Sequence, residues 1–268
     1  MDTILKEAVL DKCRDLSIPV FGIASAEQWN QSYFEPWVPV LFRPRSIFPE
    51  VKSVIVIGFP VILPILETAP SIHYHELYKT LNRLLDADAY LISLFLISRG
   101  YSSISIPRDG YGSVEVLKNN PLTFFSHRHA AFLAGLGTFG INNTILTENY
   151  GPRVRFASVF TTAELPPDPP LSRPVCIKCM RCVKACPVQA IPGEEYPEGL
   201  INKNLCASRS ESLSLRYISP CGICIKVCPV GKDRDLHSRK NLEIYNEDSI
   251  DFKEYHSAWK HVRSYGRK

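Results

Sequence analysis

Cys176-Ile-Lys-Cys179-Met-Arg-Cys182-Val-Lys-Ala-Cys186-Pro187, followed by Cys221-Gly-Ile-Cys224-Ile-Lys-Val-Cys228-Pro229, decides the fold of the C-terminal part of this chain. The first run reads C-x2-C-x2-C-x3-C-P, the second C-x2-C-x3-C-P, and Cys206 stands upstream of the second. Three thiolates at two-residue gaps wrap one face of a cubane. The fourth, followed by proline, points away and ligates the other cluster of a pair. On that rule the count closes. Cys176, Cys179, Cys182 and Cys228 serve one 4Fe-4S cluster; Cys221, Cys224, Cys186 and Cys206 serve the other. Cys206 enters only as the member that completes the count. Structural zinc would use C-x2-C pairs but not the third cysteine or the trailing Cys-Pro. Disulfides do not suit a cytosolic chain, where thiols stay reduced. The ninth cysteine, Cys13, falls on an apolar helical face and reads as a buried thiol.

Upstream of the runs lies Glu164-Leu-Pro-Pro-Asp-Pro-Pro-Leu-Ser-Arg-Pro174, with five prolines in eleven residues. Such a stretch makes a stiff extended connector, not a helix or a central strand. It divides the chain into an α/β part, residues 1–165, a two-cluster module, 166–232, and a polar tail, 233–268, read as irregular or helical. The first part alternates strand and helix signals. Thr3–Leu16 has a helical apolar period. Val20–Ala24 reads as a strand. Ser53–Phe59 (SVIVIGF) is a continuous apolar run, the mark of a strand buried on both faces. His75–Arg99 is a long helix stopped by Gly100, and Tyr101–Ile106 a strand closed by a Pro-Arg-Asp-Gly turn. Ser126 caps a helix running to about Leu136. Ile145–Thr147 and Arg153–Thr161 read as a closing pair of strands. The fold class is α/β, an α+β sandwich on a mixed sheet, with a bacterial-ferredoxin-like module behind it.

The chain has 268 residues, 45% hydrophobic and 22% charged, with a net charge of +4 and no block of like charge. It reads as an ordinary globular protein without a nucleic-acid arm. The N-terminus has no secretory pattern and no apolar stretch reaches a membrane span, so the expectation is a cytoplasmic protein. No P-loop or G-x-G-x-x-G element supports ATP or dinucleotide binding.

Ser126–Asn142 (SHRHAAFLAGLGTFGIN), then Tyr150–Thr161, then the cysteine runs, resemble the epoxyqueuosine reductase and reductive dehalogenase group. The matching element is A-G-L-G-x-x-G-x-N: Ala134–Gly137, Gly140 and Asn142. The resemblance implies a nitroreductase-like sandwich that binds cobalamin. Electrons from the paired clusters would reach the corrinoid, which reduces a small-molecule or nucleoside-type substrate while a protein acid supplies the proton. A ferredoxin or flavodoxin is the implied electron donor. Where epoxyqueuosine reductases carry an Asp-Ser-Ala-Pro stretch, this chain has Asn119-Asn-Pro-Leu-Thr-Phe-Phe125, without an acid. The lysine of the family's G-K-N is Ile141.

With that aspartate missing, the catalytic candidates are His127 and Tyr111. His127 shares a helical face with small alanines, and Tyr111 stands on a glycine-flanked loop. Gly135, Gly137, Gly140, Asn142 and Arg153 are the expected cofactor contacts, Arg153 toward carboxamides or phosphate. The alternative function is a corrinoid-free protein that delivers electrons to a partner.

Overall fold

The computed structural model describes residues 1–31, 38–110, 112–119 and 123–266. Tyr111 lies outside the described residues. In chain order the elements are α1 (Thr3–Asp15), β1 (Val20–Ser25), α2 (Pro44–Ile47), β2 (Ser53–Pro60), α3 (Leu63–Leu66), α4 (Ile72–Ile97), β3 (Ser103–Ile106), α5 (Val114–Asn119), α6 (His127–Leu133), β4 (Thr138–Phe139), β5 (Ile145–Leu146) and β6 (Val154–Thr161). The module and tail add α7 (Arg181–Lys184), α8 (Lys203–Ser214), α9 (Ile223–Lys226), α10 (Asp233–Leu236) and α11 (Lys253–Arg263).

Strand β2 sits between β1 and β6 and explains its own apolar run. Ile55 and Ile57 face one side, where Leu85, Ala89, Ile92 and Leu96 of α4 and Leu5 and Val9 of α1 cover them. Val54 and Val56 face the other, against Ala130, Ala131 and Leu133 of α6. All four strand residues are buried, each contributing roughly 1.5–3 kcal/mol. The result is a sandwich with α1 and α4 on one face of the sheet and α6 on the other, the expected α/β class.

The sheet order is β1-β2-β6-β3, and its pairings are antiparallel. The expected mixed sheet is corrected on this point. Strand, helix and strand from β2 through α4 to β3 do form a parallel crossover, but β6 is inserted between the two strands and runs against both. The expected closing pair is corrected too. Strand β5 pairs with β4, leaving β6 to fill the centre of the sheet.

Ser126 caps α6, accepting from the His129 N–H. The helix ends at Leu133, before the expected Leu136, because Gly135 turns left-handed at φ +68°. The proline-rich connector lies along the edge strand β1. Asp168 accepts from the Ile23 N–H, its own N–H donates to the Ile23 carbonyl, and its carboxylate pairs with Lys6. That cover blunts an open edge. The tail is helical in part and tied down. Arg239 and the Tyr245 hydroxyl both reach the buried Glu67 carboxylate, and Arg263 donates to the carbonyls of Glu67 and Thr68. Among the described residues no helix is long and apolar enough to cross a membrane.

Candidate functional site

The two cysteine runs fold as variations on one unit. Met180, between Cys179 and Cys182, and Gly222, between Cys221 and Cys224, both take the left-handed conformation, at φ 58° and 72°. Each starts a one-turn helix, α7 or α9, and these two helices pack together. The chain then reaches Cys186-Pro or Cys228-Pro on the far side. Packing the units brings thiols from both runs together. Cys176, Cys179, Cys182 and Cys228 line one small cavity, closed by Ile141, Asn142 and Leu146 of the first part. The remaining thiols form a second set. Burial, then Cys221 and Cys186, raise the Cys206 thiol pKa. Burial, then Cys206, Cys221, Cys182 and Cys186, raise that of Cys224. Cys228 is pushed up to about 11, chiefly by burial. Thiols crowded and buried in this way favour a cationic centre that draws off their protons. No group of three or more His, Cys, Asp or Glu among the described residues can hold a metal ion. Two sets of four thiols are the donor complement of two 4Fe-4S clusters, and these residues fit the group.

Arg153 fixes the second run. It is fully buried, and its guanidinium makes a bidentate pair with Asp233, Nε to Oδ2 at 2.7 Å and Nη2 to Oδ1 at 2.6 Å. It also donates to the carbonyls of Cys228 and Val230. Arg234 donates to the Cys228 carbonyl as well, at 2.7 Å. The expectation that Arg153 meets a corrinoid or phosphate is corrected: its fork is taken by carbonyls of the module and by Asp233 at the start of the tail.

The other candidates are placed as follows. His127 accepts at Nδ1 from the Ser158 hydroxyl and donates from Nε2 to the Pro107 carbonyl, both at 2.9 Å. The carbonyl requires Nε2 to carry the proton. Burial holds the ring neutral, with its pKa lowered to about 4. Both nitrogens are engaged, so His127 anchors α6 to β6. A Cβ on Gly135 would stand 2.2 Å from the Pro169 carbonyl oxygen; one on Gly137, 2.3 Å from that of Leu146; one on Gly140, 2.5 Å from the Leu146 side chain. These glycines admit the chain's own backbone and side chains. Asn142 is buried, accepting at Oδ1 from the Thr144 N–H and hydroxyl.

What the structure adds lies between α6 and the module. A cavity of about 320 Å³ is lined by Val38, Phe42, Leu117, Leu200 and Ile201 as apolar wall, with Arg128, His129, Tyr196, Lys203 and Cys206 as its polar part. A second, of about 360 Å³, shares His129 and Tyr196 and reaches Cys176. The wall between them is built from stacked rings. Phe139 lies on Tyr196 at 4.0 Å and 15°, and His129 Nε2 is 2.7 Å from the Tyr196 hydroxyl. His129 Nδ1 meets Ser126 Oγ at 2.7 Å. Burial, then Arg128 and Lys203, push the His129 pKa down to about 3. Burial raises that of Tyr196, against the pull of Arg128. At neutral pH the imidazole is uncharged and the phenol keeps its proton. One thiol of each quartet thus borders a cavity beside the His129–Tyr196 pair. Nothing in the local sequence signals this site. Its members come from α6, from the segment after Cys186 and from α8, and no periodicity links them.

A family profile described as a 4Fe-4S dicluster domain matches residues 175–232. A tetrachloroethene reductive dehalogenase of Desulfitobacterium hafniense is 31% identical over 241 residues, covering 83% of this chain and 38% of that protein. An epoxyqueuosine reductase of Bacillus cereus is 25% identical over 281 residues, 89% of this chain and 68% of the relative. Among solved structures, one described as a reductive dehalogenase with a mechanism for B12-dependent dehalogenation aligns over 96% of this chain and 36% of its own, with TM-score 0.65 and 20% identity. An epoxyqueuosine reductase solved with an epoxyqueuosine-modified tRNA stem loop aligns over 96% of this chain and 76% of its own, with TM-score 0.56 and 21% identity. That partner leaves the lack of a basic arm without weight against nucleic acid. The chain spans 38% of the length of the first relatives it matches. It is a homologue of both reductase groups, with their fold and a dicluster domain.

Proposed function

We propose that this homologue of the reductive dehalogenases and epoxyqueuosine reductases is a two-cluster iron-sulfur oxidoreductase that reduces a small acceptor in the cavity beside His129 and Tyr196. The observation that carries the reading is Cys206, a thiol of the second quartet, on the wall of that cavity. Cys176, Cys179, Cys182 and Cys228 hold one cluster; Cys186, Cys206, Cys221 and Cys224 hold the other. When bound, the clusters supply one-electron transfer.

The chain's own residues do the rest. The apolar wall packs against the body of the acceptor. Tyr196, protonated and hydrogen-bonded to neutral His129, holds a proton at the cavity for the reduced acceptor. Arg153 and Asp233 hold the Cys228 backbone, so that this thiol stays with the partner run. The electrons come from an external ferredoxin or flavodoxin.

The residues expected to cradle a corrinoid do not fit that group. The glycines meet the chain's own backbone and side chains, Arg153 is consumed by Asp233, and both ring nitrogens of His127 are engaged. No step is derived through the corrinoid. A corrinoid-dependent reductase is the second reading, favoured by the likeness over 96% of the chain to a protein described as carrying out B12-dependent dehalogenation.

Anaerobic purification with both clusters in place, followed by titration with hydroxocobalamin, separates the two. No stoichiometric base-off spectrum is expected while both clusters accept electrons from reduced ferredoxin. A stoichiometric base-off spectrum replaces the first reading by the second.

A further inference from the structure

Among the described residues, the lining of the cavity beside Cys206 includes two cations and no acid. Arg128 spends one N–H group on the Asn143 carbonyl, at 2.5 Å, and borders the cavity. Lys203 stands at the first position of α8 and faces the same space. No Asp or Glu is among the lining residues, and neither cation has a carboxylate within ion-pair distance among the described residues. Buried Arg234 and Lys226 likewise lack a carboxylate among the described residues but are held by backbone carbonyls, Arg234 by those of Cys228 and Lys226 and Lys226 by that of Ala69, whereas four other cations are paired with acids. Arg153 pairs with Asp233, Arg239 with Glu67, Arg108 with Asp86 and Lys6 with Asp168. Two like charges left together in a partly desolvated site repel each other, and burial lowers the pKa of both, with Arg128 adding to the effect on Lys203. An arrangement of that kind lowers its free energy when an anion enters.

The rest of the wall sets the body of that anion. Val38, Phe42, Leu117, Leu200 and Ile201 present hydrocarbon, and a volume of about 320 Å³ suits a body of one or two fused rings. Asn143 fixes the geometry from behind. Its carbonyl holds Arg128, while its side chain donates to the Gly199 carbonyl and accepts from the Ile201 N–H. The cation of the first part and the apolar wall of the module are therefore registered by one residue.

We propose that this cavity binds an organic anion, a carboxylate or phosphate monoester on a flat apolar body, with Arg128 and Lys203 receiving the charged end. This rests on the reading of the cavity as the acceptor site and names the class of acceptor. The competing use of the two cations is to offset the charge of the cluster held by Cys206 alone.

Calorimetry on the anaerobic two-cluster protein decides between them, with 2-naphthoate, 2-naphthyl phosphate and neutral 2-naphthamide as probes. Cluster content is read first from the visible spectrum, so failure of the two-cluster reading registers separately. At least one of the two anions should bind at least tenfold more tightly than the amide. Lys203→Gln should remove most of that preference, and Lys203→Arg should retain it within about threefold. Equal binding of anion and amide, no binding of any probe, or a preference untouched by Lys203→Gln overturns the proposal.

Discussion

Arg153 shows how much rests on single side chains. It is the buried partner of Asp233 and the donor that holds the Cys228 carbonyl, so its loss strands a carboxylate in the interior. Breaking one side of a buried pair costs about 3–5 kcal/mol. Arg153→Ala is expected to lower the anaerobic melting temperature accordingly and to reduce iron content. Arg153→Lys rescues little, because a point charge cannot make the bidentate fork. The two histidines of α6 give a pH signature. Burial depresses His127 to about 4 and His129 to about 3, below the unfolded value of about 6.5. Between those limits the unfolded chain binds more protons than the folded one. The stability they confer is complete above about pH 6.5 and is lost as pH falls toward 4 and then 3, with a slope of at most about 1.4 kcal/mol per pH unit for each ring. Denaturant melts from pH 7 to 5 should show that slope, and His127→Gln should flatten it. The cysteine pattern was legible residue by residue, because spacing alone carries a cubane's demands. Arg153 as a clamp was not: Asp233 stands 80 positions away and no local pattern announces it.

At the scale of elements, β2 and α4 were readable because burial on two faces and a long apolar stripe leave periodic marks. The direction of the sheet was not readable. It depends on β6 entering between β2 and β3, a long-range pairing that neither strand encodes alone. Helix α6 is the element on which the site depends, since it carries Arg128 and His129. Its seat on the sheet needs Gly22 of β1, where a Cβ would stand 2.7 Å from the Ala134 carbonyl oxygen and 2.9 Å from Leu136 Cδ2. Gly22→Ala is therefore expected to cost about 1–3 kcal/mol in denaturant unfolding. It should also weaken naphthoate binding, as α6 shifts away from the module. Unchanged affinity in a destabilised Gly22→Ala would show that α6 does not set the cavity.

For the whole molecule, the first part, the module and the tail are coupled through buried polar contacts. Asn143 reaches Gly199 and Ile201, Arg153 reaches Asp233, and Arg239 reaches Glu67. The cavity forms where these parts meet, which is why the sequence of any one of them did not announce it. The proposed electron path requires crossed ligation, with Cys228 serving the first run and Cys186 the second. Paired substitutions test this most directly, read as clusters per chain by iron and sulfide analysis with electron paramagnetic resonance. Cys176→Ala with Cys228→Ala should lose one cluster, no more than either alone. Cys221→Ala with Cys228→Ala should lose both. If instead the first pair loses both clusters and the second loses one, each run holds its own cluster and the crossed account is wrong.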